Sequence, residues 1–162
     1  MRHILRRREV VEDDWRHLGE DGAESRNLII PFAEFRIHIE RWRAFEGRLG
    51  VRLSPADAVE DLAEDVHRLS LVAAEFPSPG EGRGYSQGRL LRSRLQFDGE
   101  LRAVGAGVKQ DLLFILSRCG FDSFELAPGQ KFDDALKALD RYTVAYQPAR
   151  AVPSIRLQRF FT

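Results

Sequence analysis

The chain has 162 residues, 25 of them basic and 25 acidic, so its formal net charge is zero. A chain without net charge offers no global field to hold nucleic acid or an anionic membrane, and neither partner is expected. Hydrophobic residues make up 43% and charged residues 31%, as in a globular domain, and a chain of this size buries roughly 70% of its unfolded surface.

Cys119 is the only cysteine, which supports neither an internal disulfide nor a zinc cage. No apolar run approaches the ~18 residues of a membrane span, and the basic start Met1-Arg2-His3-Ile4-Leu5-Arg6 lacks the apolar stretch of a signal peptide. A cytoplasmic, unprocessed protein is the expectation.

Residues His3 to Trp15 read as a short strand, a charged turn and a second strand at Glu9-Val10-Val11. Arg16 to Arg26, with Gly19 and Gly22, reads as a loop. Asn27-Leu28-Ile29-Ile30-Pro31 has the apolar run of a buried strand. Phe35, Ile39, Trp42 and Phe45 recur at helical spacing and predict a helix over Phe32 to Gly47. Gly50 to Leu53 is the next strand. Ser54-Pro55 then has the form of an N-cap followed by proline at the first helical position, with Val59, Leu62, Ala63 and Val66 as the apolar face.

The alternation continues with a strand at Leu69 to Phe76 and a helix at Tyr85 to Leu95. A strand at Glu100 to Gly105 precedes a helix at Val108 to Cys119. A strand at Asp122 to Leu126 precedes a helix at Lys131 to Tyr142, and Val144 to Gln147 forms a last strand. Alternating strands and helices predict an α/β fold of repeated βα units with a mainly parallel sheet, because parallel neighbours need crossovers. About six parallel strands are too few to close an eight-stranded barrel. The expected architecture is an open sheet or a partial TIM-like barrel behind a short N-terminal β-hairpin. It is read as one domain over 1–162, with the hairpin and loop in 1–26, the βα repeats in 27–147 and a tail in 148–162. That tail mixes Arg150, Arg156 and Arg159 with Ile155, Leu157, Phe160 and Phe161, and is expected to dock on its own domain or on a partner.

In parallel α/β folds ligands bind beyond the carboxyl ends of the strands. The loop after Phe76 is the richest of these, with Gly80, Gly82, Arg83, Gly84, Tyr85 and Ser86 leading into a helix. Glycines allow close backbone approach, a helix start favours an anion, and Arg83 suits a carboxylate, phosphate or sulfur oxyanion. The spacing is G-x-G-x-G rather than the dinucleotide G-x-G-x-x-G, and the phosphate-loop pattern is absent. A tight strand-to-helix turn capped by Ser86 explains the same residues.

Glu75, Arg102 and Glu125 each interrupt an apolar strand. Buried charges require partners, so Arg102 is expected between the two carboxylates, either as a structural network or as the floor of a site beneath the glycine turn. An arginine at the centre argues against a metal. The histidines His3, His17, His38 and His67 have no metal-ligand spacing, and none lies near the turn in sequence to serve Ser86 as a base. No cofactor is expected, since the chain has no cysteine pair, haem motif or cluster ligand set.

Glu75-Phe76-Pro77, Gly82-Arg83-Gly84-Tyr85-Ser86-Gln87 and Arg89-Leu90-Leu91-Arg92 together are similar to the bacterial family catalogued as domain of unknown function 934. Gly99-Glu100-Leu101-Arg102-Ala103-Val104-Gly105 and Arg118-Cys119-Gly120-Phe121-Asp122 look like its other signatures, and Val11-Glu12-Asp13-Asp14-Trp15 resembles its N-terminal motif. The chain departs from the pattern at Gly105-Ala106-Gly107-Val108, where the family usually has Gly-Asp-Val, and at Gly88, where alanine is common. Members are often described as probable oxidoreductases linked to sulfite reduction. The resemblance implies a place in assimilatory sulfur metabolism and assigns no catalytic residue. The leading expectation is an accessory protein that binds a sulfite reductase component or a small anion. An enzyme with an anion site at the glycine turn, and a structural homodimer that covers its sheet edges, are the alternatives.

Overall fold

The computed structural model describes residues 1–20 and 25–141. In chain order the elements are β1 (His3–Arg6), β2 (Glu9–Glu12), β3 (Arg16–His17), β4 (Asn27–Pro31), α1 (Phe32–Ile37), α2 (Ile39–Arg43) and β5 (Arg48–Leu53). Then come β6 (Leu71–Glu75), α3 (Arg83–Ser93), β7 (Glu100–Val104), α4 (Leu113–Arg118), β8 (Ser123–Phe124) and α5 (Phe132–Asp140). The fold is mixed α/β. Among the described residues no helix is long and apolar enough to cross a membrane.

All eight strands form one sheet in the order β2-β1-β8-β7-β6-β5-β4-β3. Strands β3 to β8 are parallel neighbours in sequence order. The N-terminal hairpin adds β1 antiparallel to β8, and β2 antiparallel to β1. Side chains alternate across the strands. One face buries Leu28, Ile30, Val51, Val72, Ala74, Leu101 and Phe124 against helix residues such as Phe35, Leu91, Leu116 and Leu139. The other face carries a smaller cluster of Trp15, Ile29, Leu71, Ala73 and Val104.

The strand order forces the sheet to curl. Strands β2 and β3 are its opposite edges, and seven spacings of about 4.8 Å would part them by roughly 34 Å in a flat sheet. Only Asp13, Asp14 and Trp15 connect them, a chain that reaches about 15 Å at most. The result is a curled half-barrel, with the connecting residues as a strap across its inside. Trp15 lies fully buried on the inner face.

Three expectations are corrected. Arg16-His17 is a strand rather than a loop, and its pairing with Leu28 and Ile29 follows from the strap that delivers it to the edge of β4. The helix expected over Phe32 to Gly47 breaks at His38, whose backbone leaves the helical region (φ −119°, ψ 42°). The helix expected from Ser54 is replaced by turns and two short 3₁₀ segments, Val59–Leu62 and Val66–Arg68. Ser54 caps nothing: its own N–H donates to Asp57 Oδ2 at 2.7 Å. Gln87 from α3 donates to the carbonyls of Ser54 (2.8 Å) and Asp57 (3.0 Å), which an α-helix would need for its own amides. The βα repeat therefore holds only in part. The strand expected over Val144 to Gln147 and the tail 148–162 lie outside the described residues.

Close packing of α3 on the sheet explains the glycine at position 84. A Cβ there would stand 2.4 Å from Cζ of Phe76, whose ring also meets Tyr85 and Phe121 edge-on at 5.2 and 5.7 Å. Gly84→Ala gains about 1 kcal/mol of helix propensity but overpacks a buried ring, which typically costs about 1–3 kcal/mol. A net loss of stability is expected, seen as a lower urea midpoint with unchanged slope.

Candidate functional site

The inner face of the half-barrel is organised by one fully buried arginine. Arg102 of β7 donates through Nη1 to both carboxylate oxygens of Asp13 at 3.0 Å and to Glu125 Oε1 at 3.1 Å. It also donates through Nε and Nη2 to Glu100 Oε1 at 3.1 and 2.8 Å. Asp13, on the strap, is as buried as Arg102. It also receives Arg2 Nε at 2.9 Å and the Trp15 N–H at 3.2 Å. Burial works against the Arg102 charge, but Glu100, Asp13 and Glu125 more than compensate and raise its pKa. Burial likewise favours protonation of Glu100, yet Arg102, the Ser123 hydroxyl and Arg6 hold its carboxyl below the usual range.

Above this network a cleft of about 480 Å³ opens at the carboxyl ends of the parallel strands. Arg52 of β5, Glu75 of β6, Val104 and Gly105 at the end of β7, and Glu125 just beyond β8 form one side, and Arg2, His17, Leu18, Gly19 and Glu20 the other. Gly105 sits at φ +109°, and a Cβ there would lie 2.5 Å from the Phe76 carbonyl oxygen, so this wall is built from backbone. The volume falls in the range of small-ligand sites.

Most charges in the cleft are already committed. Arg2 pairs with Asp13 and, at 2.9 Å, with Glu20. His17 Nε2 lies 3.0 Å from Glu125 Oε1, while its buried Nδ1 has no partner among the described residues. Burial would raise the Glu125 carboxyl, but the His17 hydrogen bond and the charges of His17, Arg102 and Arg2 bring it down to about 2. Glu125 is therefore an anion at neutral pH. Arg52 and Glu75 differ from the rest: among the described residues neither side chain makes a hydrogen bond or ion pair.

The structure brings together only part of the expected site. Glu125 meets Arg102 and lines the cleft. Glu75 lines the cleft but does not touch Arg102; the other carboxylates on the guanidinium are Asp13 and Glu100. The glycine turn is elsewhere. Gly82, Arg83, Gly84, Tyr85 and Ser86 do not line the cleft, and they begin a helix that packs on the opposite face through Phe76. Arg83 and Ser86 are exposed within α3. Ser86 caps nothing, since Gly82 holds the N-cap position without a side-chain cap. None of the glycines at 80, 82 and 84 has a positive φ. Burial pushes the Tyr85 hydroxyl upward, with Cys119 and Asp111 adding to it.

Sequence reasoning missed Asp13, Glu100, Arg52, His17 and Arg2. Arg52 carried a usable signal, a charge near the end of an apolar strand like the three that were singled out. Asp13 did not stand out between Glu12 and Asp14, and His17 lay in a stretch read as loop. Among the described residues no group of three or more histidine, cysteine or acidic side chains is placed to hold a metal.

A family model described as a bacterial protein of unknown function (DUF934) matches residues 50–155. No curated protein matches the sequence.

Two outcomes follow from the charge network. Arg102→Met leaves Asp13, Glu100 and Glu125 without their shared cation, and unfolding free energy should fall by about 3–5 kcal/mol, measured by urea titration at neutral pH. The Glu125 carboxyl titrates lower in the folded state (about 2) than its ordinary value of 4.5, so its contribution is complete above the ordinary value and is lost as pH falls toward 2. Stability measured between pH 6 and 2 should decline over that window, and Glu125→Gln should flatten the decline.

Proposed function

This chain belongs to the bacterial DUF934 family, whose function is unknown, and from that premise we propose that it is a binding protein for a small anion-bearing molecule. The ligand sits in the cleft at the carboxyl ends of β5 to β8, and the protein serves sulfite reduction as an accessory component. The observation that carries the binding role is Arg52. It stands in a cleft of about 480 Å³ with no counter-ion among the described residues, whereas the neighbouring Arg2 is bound twice over. A guanidinium left open in a cleft is ready to take a carboxylate or sulfur oxyanion with two parallel hydrogen bonds.

The assignment to sulfite reduction is supported by the family resemblance of the signatures around Phe76, Arg102 and Gly120. Binding of an anion at Arg52 requires no redox group on this chain, which suits a protein that holds or delivers a ligand to a partner.

Calorimetry with sulfite, sulfate and short carboxylates tests the binding role. At least one should bind, and Arg52→Gln should weaken that binding tenfold or more, while the melting temperature of the ligand-free variant stays within about a degree because Arg52 has no ion pair among the described residues. Equal affinity in the variant would end the Arg52 assignment. Recovery of sulfite reductase subunits with the tagged protein from native cells supports the pathway role, and their absence after cross-linking counts against it.

A further inference from the structure

The open groups of the cleft describe both ends of a ligand. Arg52 faces Ala73 in the β5–β6 register, and Glu75 follows two residues further along β6. Period-two alternation puts both side chains on the inner face of the sheet, as diagonal neighbours with Cα atoms on the order of 8 Å apart. Opposite charges at this separation can reach one another, yet these two form no ion pair. Glu75 pairs in register with Val104, and Glu125 donates its N–H to Ala103 O at 3.0 Å on the other side of β7. Glu75 and Glu125 thus flank Val104 at one level, about two strand spacings or ~10 Å apart at the backbone. Glu125 uses Oε1 for both His17 and Arg102, and Oε2 makes no hydrogen bond among the described residues.

Among the described residues, the uncommitted charged groups of the cleft are therefore one guanidinium, one whole carboxylate and one carboxylate oxygen, arranged around the apolar Val104 with Leu18 nearby, beside the unpartnered ring nitrogen Nδ1 of His17. A simple anion satisfies Arg52 but lies beside two negative charges. A simple amine satisfies Glu75 and Glu125 but meets Arg52 unpaired. Both arrangements leave like charges close in a partly desolvated cleft, where they are unfavourable. A molecule with an anionic group at one end and an ammonium at the other satisfies all three.

We propose that the ligand class of the cleft is a small zwitterion of the amino-acid or aminosulfonate type, its anionic end held by the open guanidinium of Arg52 and its ammonium held between Glu75 and Oε2 of Glu125. This rests on the cleft being the ligand site, as proposed above, and adds the requirement for an amine. Arg52 and Glu75 act as the two specificity-determining residues. Val104 and Leu18 contact the carbon skeleton and tolerate changes in its length.

Matched probes in isothermal calorimetry on the full chain test this. Glycine, β-alanine, taurine, cysteine and lysine are compared with acetate, propionate, ethanesulfonate and butylamine, with sulfite as the bare oxyanion. At least one zwitterion should bind ten times or more tighter than its analogue lacking the amine. Glu75→Gln should erase that difference while retaining the acid's own affinity, and Arg52→Gln should erase the preference over butylamine. Neither substitution removes a hydrogen bond or ion pair among the described residues, so circular dichroism melts should superimpose on wild type. Equal affinity for an acid with and without its amine, or binding of sulfite alone, overturns the zwitterion assignment and leaves the cleft as an anion site. Binding of none of these probes overturns both.

Discussion

The ion pair between Asp13 and Arg102 is the constraint on which the rest of this structure depends. A sheet of eight strands with its first and last edges joined by three residues must bend, and something must hold the bend from inside. Hydrophobic burial alone is a weak answer here, because the inner cluster is small: Trp15, Ile29, Leu71, Ala73 and Val104. The fully buried guanidinium gives the strap a fixed address. It contacts the strap through Asp13 and the sheet through Glu100 and Glu125. Such a network contributes little net stability over a well-packed apolar core, but it allows few alternative arrangements. Here the arrangement it selects is the curl, and the cleft is the open end of the curl.

Much of the sheet was readable from the chain because its strands are long, apolar and punctuated. The strands at Asn27, Gly50, Leu71 and Glu100 all lie where apolar runs predicted them. Failures arose where tertiary contacts override local preference. Two polar residues, Arg16 and His17, become a strand because the strap brings them to β4. Ser54-Pro55 has every local mark of a helix start, yet Gln87 occupies the carbonyls that the first turn would use. Arg102 was recognisable as a buried cation in need of carboxylates, but its partner could not be chosen from spacing. Glu75 points into the cleft from the next strand, while Asp13 arrives from the far end of the chain.

The glycine turn shows how a distinctive sequence can mark packing. Gly84 admits the Phe76 ring, and Gly88 lies where a Cβ would be 2.5 Å from Phe121. Arg92 and Asp122, which also lie in the family-like stretches, meet in a second structural hub. Arg92 at the end of α3 donates to the carbonyls of Phe97, Gly99 and Gly120 at 2.7, 2.9 and 3.1 Å and pairs with Asp122. That hub joins the entry points of β7 and β8, at the end of the sheet opposite the cleft. The glycine turn and Arg92 thus fasten helices to the outer face, while Asp13, Glu100 and Arg102, from the other family-like stretches, hold the inner one. Of the two side chains left open among the described residues, Glu75 belongs to the family-like stretch Glu75-Phe76-Pro77, whereas Arg52 lies outside every such stretch.

The strap also sets an order of events in folding. Asp13 and Arg102 are 89 residues apart in sequence, and β1 finds its neighbour only when β8 exists. During synthesis the N-terminal hairpin therefore emerges long before either of its partners. Contacts of such sequence separation form slowly, after the local βα units have assembled. Until then the inner face is an open trough in which Arg102 has Glu100 and Glu125 beside it but not Asp13. The pocket is the last part of the molecule to come into existence, and only a chain that has closed correctly possesses it.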